Sequence, residues 1–308
     1  MFIYSNQKMK KHKTPCKKFY RQRAHCNPLS DSYIKYPLND KYVDWGIHYP
    51  SYFGGVENAE KSAETSAEKN AEKNAEKNAD KDSKAENKDN AQSNETNAEQ
   101  DTLYLNTNKY PICYENKIQV KPNNFEVNFL DIGCGYGGLL FELSKVFDNK
   151  LILGLEIRDK ITNYVGEKIN TYRKNDFPNY NNIAVIRTNA MKFLPNYIKK
   201  NQIEKMFFCF PDPHFKKPNW RRRIITIESL SLYYHLLQKN GLIYFITDVF
   251  TLYLWVKFCF NRYQKFKILS EEEYKNDICI KLIHEKSEES KRVKSQNKNM
   301  YFCVAQKI

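Results

Sequence analysis

A stretch of the sequence, "FPDPHFKK" from Phe210 to Lys217, places one carboxylate between two prolines. Pro211 and Pro213 restrict φ on both sides of Asp212 and remove two backbone donors, so a strand must end there. A carboxylate held rigidly in this way suits recognition of a planar ring that carries N–H groups. The sequence thus leaves two interpretations of Asp212 open: a carboxylate that recognises such a ring in a binding or active site, and a proline-stiffened loop with a solvated aspartate.

The residues after this acid are basic and aromatic. Phe215 and Trp220 alternate with several cations. Cations neutralise phosphates and aromatic rings stack on unpaired bases, a combination typical of nucleic-acid binding. A solvated charge run is the usual alternative, but the position next to Asp212 favours binding. The cations that we predict to bind nucleic acid are Lys216, Lys217, Arg221, Arg222 and Arg223.

A glycine-rich segment, "DIGCGYGG", follows a strand-like run and opens a helix-like one. It matches G-x-G-x-x-G through Gly133, Gly135 and Gly138, and such glycines let the backbone turn tightly against a ligand. The match alone is weak, since it fits a nicotinamide or flavin dinucleotide site and also a turn needed only for packing.

Two further strand ends carry polar residues. Glu156 ends "LGLE", where an acid can accept both ribose hydroxyls of NAD or of S-adenosylmethionine; a surface acid is the alternative. Asn189 in "TNA" suits either an adenine edge or an ordinary turn. Because Asp212 follows the fourth strand, directly across from the glycine loop, its rigid carboxylate favours a base-modifying methyltransferase over a dehydrogenase.

Strand-like and helix-like runs that alternate along the chain must position these residues. The strand-like runs are short and apolar: "VNFLDIG", "LILGLEI", "NIAVIRTNA", "KMFFCFPD" and "GLIYFITD". The intervening helices are "GGLLFELSKVF", "KITNYVGEKINTYRK", "MKFLPNYIKK" and "TIESLSLYYHLLQKN", the last capped by Gly241. This pattern predicts an α/β fold with a doubly wound, mostly parallel sheet, which binds ligands at the carboxyl ends of its strands.

Composition narrows the function classes. Lys and Arg number 50 against 36 Asp and Glu, a net charge of +14 that favours nucleic acid or an anionic surface as partner. The eight cysteines form no C-x-x-C pair and no zinc-like spacing, so we expect no metal site and a reducing compartment. No apolar run approaches the roughly 20 residues of a membrane span, so we expect a soluble intracellular protein.

One segment has no apolar residues to bury. From Glu57 to about Asp101 the chain consists almost entirely of Ala, Glu, Lys, Asn, Asp and Ser, with "AEKN" repeated in tandem. This composition predicts disorder, and a tolerated insertion is favoured over a functional tether. We predict three parts: a basic N-terminal arm that belongs to the catalytic domain (1–56), a disordered insert (57–115) and the rest of the catalytic domain (116–308).

Several motifs together carry a family resemblance. "FLDIGCGYGGLLFELS", "LILGLEIR", "FFCFPDPHFKK" and "GLIYFITDV", with "YRQRAHCNP" in the arm, closely resemble tRNA (guanine-N7)-methyltransferases of the eukaryotic catalytic-subunit type. The resemblance covers about 17–50 and 127–308. It implies a class I, Rossmann-like methyltransferase that uses S-adenosyl-L-methionine to methylate N7 of a guanine in the tRNA variable loop.

The resemblance also implies site residues. Asp212 matches the active-site aspartate of the family, and Lys216 and Asp248 match substrate-contacting positions of bacterial relatives. "SEESK" stands where the family has a Thr-Glu segment that closes over the site, and its serine keeps the hydroxyl but lacks the methyl group. The implied cofactor-binding residues are Asp131, Gly133, Glu156, Arg158, Asn189, Ala190, Cys209, Ser287, Glu288 and Glu289.

The expected partners follow from the same resemblance. They are tRNA and a WD-repeat β-propeller subunit that forms a heterodimer with the chain. We expect the protein in the nucleus, and its balance between nucleus and cytoplasm stays open. Three other functions stay open at this point: an NAD-dependent oxidoreductase, a non-catalytic RNA-binding module, and an S-adenosylmethionine-dependent enzyme that methylates another RNA or base.

Overall fold

A computed structural model describes residues 11–23, 26–29, 34–53 and 125–308. It also gives the backbone of two short strands that pair antiparallel, Lys109–Tyr110 and Ile112–Cys113. Apart from these strands, the predicted insert (57–115) lies outside the described residues. The prediction that it is disordered therefore concerns residues that the structure does not describe.

Seven strands form one sheet in the order β3-β2-β1-β4-β5-β7-β6. Strands β1 to β5 run parallel, and β7 lies antiparallel between β5 and β6. The predicted mostly parallel sheet is therefore confirmed, with its change of strand order between β1 and β4. The strands are β1 (Val127–Ile132), β2 (Leu151–Glu156), β3 (Ile183–Arg187), β4 (Ile203–Cys209), β5 (Leu237–Thr247), β6 (Phe266–Ile268) and β7 (Tyr301–Lys307).

Helices cover both faces of this sheet. Neighbouring residues of β1 belong to opposite hydrophobic clusters, Phe129 to one and Leu130 to the other, as a strand buried on both faces requires. No helix in the described part of the chain is long and apolar enough to cross a membrane. The helices are α1 (Trp45–His48), α2 (Pro50–Phe53), α3 (Gly138–Val146), α4 (Asp159–Asn175), α5 (Ala190–Phe193), α6 (Ile227–Leu236), α7 (Phe250–Tyr263), α8 (Glu271–Tyr274), α9 (Ile278–Lys286) and α10 (Glu288–Ser295).

The predicted end of helix α6 is wrong. The helix ends at Leu236, and β5 begins at Leu237, so Gly241 lies inside a strand and caps nothing. A Cβ on Gly241 would lie 2.9 Å from Leu237 Cδ2 and 3.0 Å from the Gln238 carbonyl oxygen. The glycine is needed because β5 is irregular there and its backbone folds close to itself.

The N-terminal arm packs against β2, β3 and α4. Tyr49 is fully buried, and its hydroxyl donates to the Ile152 carbonyl at 2.9 Å. The Arg173 guanidinium donates to the carbonyl oxygens of His48 at 2.8 Å and Ile183 at 2.6 Å. Burial lowers the pKa of Arg173 to about 10, so the guanidinium remains charged at neutral pH.

The residues that flank the 54–124 segment lie close together in the structure. The Tyr52 and Phe125 rings lie 5.0 Å apart, centroid to centroid, in an edge-to-face contact. Phe53 approaches the same ring at 6.5 Å. The two ends of the 54–124 segment are thus held side by side by aromatic packing.

Candidate active site

One cavity of about 510 Å³ opens at the carboxyl ends of the parallel strands, where the strand order changes. Its volume is in the range of small-molecule sites, and its position is the one expected for a doubly wound sheet. Many of the predicted site residues line it: Gly133, Glu156, Arg158, Asn189, Ala190, Cys209, Asp212, Arg222, Asp248 and Glu289.

The glycine loop connects β1 to α3. Gly133 has φ +76° and open space where a Cβ would stand, so the backbone can lie directly against a ligand. Gly137 also has a left-handed φ, +78°, which the predicted G-x-G-x-x-G spacing did not single out. Gly138 has another role, because a Cβ there would lie 2.7 Å from Glu288 Cγ. Gly138 therefore lets α10 pack against the loop.

Asp131 precedes this loop at the end of β1 and is not part of the cavity wall. It is 2% exposed, and its Oδ2 atom has no hydrogen-bond partner among the described residues. Burial, together with the nearby charge of Glu156, raises the pKa of Asp131 to about 7. A buried carboxylate oxygen beside a cavity suits a ligand that brings a cationic donor, such as the amino group of S-adenosylmethionine.

Glu156 ends β2 and accepts five hydrogen bonds. The backbone N–H groups of Gly135, Ile157 and Arg158 donate to it at 2.9–3.1 Å. The Arg158 guanidinium donates two more, at 3.0 Å from Nε and 2.8 Å from Nη2. Ribose hydroxyls can therefore reach this carboxylate only if Arg158 gives up part of its contact.

Asn189 caps α5 and anchors the arm. Its Oδ1 accepts from the Met191 backbone N–H at 3.1 Å, and its Nδ2 donates to the Pro28 carbonyl at 2.5 Å. Both polar atoms of the side chain are thus engaged within the protein. Asn189 also lines the cavity, so its contact with an adenine edge stays a prediction.

Two more carboxylates, those of Asp212 and Asp248, belong to the same cavity as the glycine loop. Asp212 Oδ1 accepts from the His214 backbone N–H at 3.1 Å, and the His214 ring Nδ1 lies 3.8 Å away. Asp248 follows β5 and lies 3.7 Å from the Lys298 ammonium. The side chains of Asp212 and Asp248 are 28% and 27% exposed, so both can meet a ligand from outside.

The basic loop after Asp212 divides into three environments. Lys216, Lys217 and Arg221 are exposed, beside the exposed rings of Phe215 and Trp220. Arg222 lines the cavity. Arg223, in contrast, is 8% exposed and its guanidinium faces the protein interior.

The C-terminal "SEESK" segment contributes one residue to the cavity wall. Ser287 caps α10 by accepting from the Ser290 N–H at 3.1 Å and is buried. Glu288 forms a 2.5 Å salt bridge with Lys17 of the arm. Glu289 lines the cavity and pairs with Arg292 at 3.2 Å.

The wall also contains residues that the sequence analysis did not name as site residues, among them Cys26, Pro28, His214, Arg292 and Gln296. Cys26 and Pro28 lie in the arm motif "AHCNP", whose resemblance to the family was the one available signal. Arg292 and Gln296 follow the "SEESK" segment on α10 and carry no local signal. Within the described ranges, no group of three or more His, Cys, Asp or Glu side chains could hold a metal ion.

The sheet order, the antiparallel β7 beside β5, the glycine loop and the acid at the end of β2 define a class I S-adenosylmethionine-dependent methyltransferase. A family model described as "Putative methyltransferase" matches residues 126–303.

Curated relatives identify the family more narrowly. The chain is 37% identical to the "tRNA (guanine-N(7)-)-methyltransferase" of Zea mays, over 96% of this chain and 94% of the relative. Proteins of the same name match from Arabidopsis thaliana (34%; 96% and 92% covered) and, as form A, from Xenopus tropicalis (37%; 93% and 86%). The chain belongs to the tRNA (guanine-N7)-methyltransferase family.

Proposed function

We propose that this enzyme transfers a methyl group from S-adenosylmethionine to N7 of a guanine in the variable loop of tRNA. One observation carries the proposal: a single cavity joins the glycine loop and Glu156 to Asp212 and Asp248, and an exposed basic and aromatic loop lies beside it. The family to which the chain belongs supports the same reaction on tRNA.

The cofactor side of the cavity binds and orients S-adenosylmethionine. S-adenosylmethionine, when bound, supplies an electrophilic methyl group on a sulfonium. The Gly133 backbone and the carboxylates of Asp131 and Glu156 would hold it, the first by close approach and the others through its amino and ribose hydroxyl groups.

The substrate side stabilises charge. Guanine N7 already has an in-plane lone pair, so the residues need not remove a proton to make it a nucleophile. They must hold N7 in line with the methyl–sulfur bond at about 3–3.5 Å. Methylation makes the ring cationic, and the carboxylates of Asp212 and Asp248 stabilise that growing charge and accept ring N–H groups. Extrusion of the base from a flexible loop would give it access to these residues.

The basic loop holds the RNA. The exposed cations Lys216, Lys217 and Arg221 can contact phosphates, and the exposed rings of Phe215 and Trp220 can stack on unpaired bases. This arrangement supports a large anionic substrate rather than a free nucleoside.

Methyl transfer from labelled S-adenosylmethionine to unmodified tRNA tests the proposal. We expect 7-methylguanosine in the variable loop. A different methylated nucleoside would instead support the alternative, a methyltransferase that acts on another RNA or base. Absence of any product, alone and with a WD-repeat subunit added, would refute the proposal.

We also propose a WD-repeat β-propeller partner and a nuclear location, which rest on the resemblance of the arm and the core motifs to eukaryotic catalytic subunits. Co-purification with the candidate subunit and imaging of a fluorescent fusion test them. A chain that is fully active and monomeric with the subunit present would contradict the first.

We infer that residues 57–115 are dispensable for catalysis. The rings of Tyr52, Phe53 and Phe125 hold the two ends of the enclosing segment together, so a short Gly/Ser linker can replace the deleted residues. We expect unchanged kcat and KM in the methyl-transfer assay. A large loss of activity would show that the insert has a task.

A further inference from the structure

Arg223 is the one member of the predicted RNA-binding set that the protein buries. Phosphate contacts require an accessible guanidinium, so this burial is inconsistent with a direct grip on tRNA. Within the described residues no carboxylate forms a salt bridge with Arg223 either. The residue therefore needs another explanation for its place next to the active site.

Two indole rings contact its guanidinium. The central carbon lies 4.9 Å from the ring centroids of both Trp220 and Trp255, which are 6.0 Å apart. The Trp255 indole N–H is fixed by the Ile225 carbonyl at 2.9 Å, and that of Trp220 points to the Phe215 carbonyl at 3.2 Å. Cation–π attraction from both rings stabilises a cation that burial would otherwise disfavour.

The remaining contact leads to the catalytic loop. Arg223 Nε donates to the carbonyl oxygen of Pro213 at 3.0 Å. That carbonyl belongs to the same peptide group as the His214 N–H, which donates to Asp212 Oδ1 at 3.1 Å. A peptide group is planar and stiff, so fixing its oxygen also fixes the direction of its N–H.

We propose that Arg223 is a positioning residue, which orients the Asp212 carboxylate through the Pro213–His214 peptide group. The loop needs such support because Phe210 and His214, on either side of Asp212, have left-handed backbone angles, with φ of 51° and 45°. Strained conformations of this kind persist only where surrounding contacts hold them. The proposal rests on the proposed function, because Asp212 matters only if it faces the substrate.

The test compares two variants of Arg223 with a matched surface variant. Arg223→Lys keeps the charge but cannot supply the same N–H direction, and Arg223→Met removes the charge while filling the space. We expect both to lower the single-turnover rate at saturating tRNA and S-adenosylmethionine by about 10- to 100-fold, as a misplaced catalytic group does. We expect their Kd for tRNA and its salt dependence to stay unchanged. Arg221→Met, the control, weakens tRNA binding and reduces its salt slope by roughly 1.

A double-mutant cycle separates orientation of Asp212 from general damage. If Arg223 acts through Asp212, then the Asp212→Asn, Arg223→Met double variant should have nearly the same single-turnover rate as Asp212→Asn alone. Fully additive losses would overturn the proposal. So would an active Arg223→Lys variant, or Arg223 variants that bind tRNA weakly with a normal single-turnover rate. Wild-type protein that forms no 7-methylguanosine would instead refute the proposed function itself.

Discussion

The carboxylates predicted to face the cofactor and those predicted to face the substrate are held in different ways. On the cofactor side, Asp131 is 2% exposed and the Glu156 side chain 3%, and Glu156 is surrounded by donors of its own protein. On the substrate side, Asp212 and Asp248 are about ten times more exposed. A small cofactor can be enclosed, whereas a nucleotide that remains part of tRNA must enter from an open surface. The comparison predicts that changes on one side leave binding on the other side intact.

The largest expected effect is on the substrate side. Asp212→Ala should lower kcat by about 10³-fold, because it removes a carboxylate placed to stabilise the charge of the methylated ring. Calorimetry should show an unchanged Kd for S-adenosylmethionine. Turnover close to that of wild type would show that Asp212 is only a loop residue, and a weakened cofactor Kd would break the comparison.

The matching change on the cofactor side is Glu156→Ala. We expect the Kd for S-adenosylmethionine to rise by about 100-fold, since two hydrogen bonds to a charged group are lost, each about 1.5 kcal/mol because Arg158 competes for the same oxygens. Binding of tRNA, measured separately by filter binding, should not change. Glu156→Gln, which keeps one oxygen acceptor, is the control and should lose less affinity.

A smaller effect is expected at the exposed loop. Combined Lys217→Ala and Arg221→Ala should weaken tRNA binding about tenfold near physiological salt and lower the salt slope by about 1.4 to 1.8, since two phosphate contacts disappear. The cofactor Kd serves as the internal control. An unchanged slope would mean that these cations are solvated and contact no phosphate.

The smallest effect concerns a proton at Asp131. With a pKa of about 7, its carboxyl group is half protonated at pH 7, and a cationic ligand beside it favours the ionised form. Binding of S-adenosylmethionine should then release about half a proton at pH 7, and affinity should rise with pH from about 6 to 8. Calorimetry in two buffers of different ionisation enthalpy measures this release, which Asp131→Asn should abolish.

The same raised pKa also makes the free energy of unfolding depend on pH. The unfolded chain ionises Asp131 near its ordinary value of 3.8, while the folded, ligand-free protein keeps the proton up to about pH 7. The free energy of unfolding should therefore contain a contribution that decreases as pH rises from about 4 to 7. The difference in unfolding free energy between wild type and Asp131→Asn, followed over this range, isolates it.

Local patterns in the sequence predicted most of the sheet and the cofactor loop. Each of the strands β1 to β4 is a short apolar run followed by a polar or glycine-rich turn, and such signals need only neighbouring residues. The predicted boundary between α6 and β5 was wrong because "LLQKN" can continue a helix as well as begin a strand. Contacts with β4 across the sheet decide for the strand there.

The site was harder to predict where it depends on distant contacts. Arg221 and Arg223 are indistinguishable in a basic run, yet packing against Trp220 and Trp255 buries only Arg223. Likewise Pro28 and Gln296 meet at one cavity from opposite ends of the chain. Contacts between such distant residues are set by the tertiary fold, and spacing along the chain does not predict them.

The contact between Tyr52 and Phe125 also bears on how this enzyme evolves. A change in the number of tandem "AEKN" repeats, which occupy residues 67–78, changes the length of this segment. Because the chain leaves and re-enters the catalytic domain at one aromatic contact, each added copy increases only the closure entropy of a loop, and that cost grows slowly with length. A change in the number of repeats should therefore have little effect on the active site. The same junction is a place where a reporter domain could be inserted without moving either wall of the cavity.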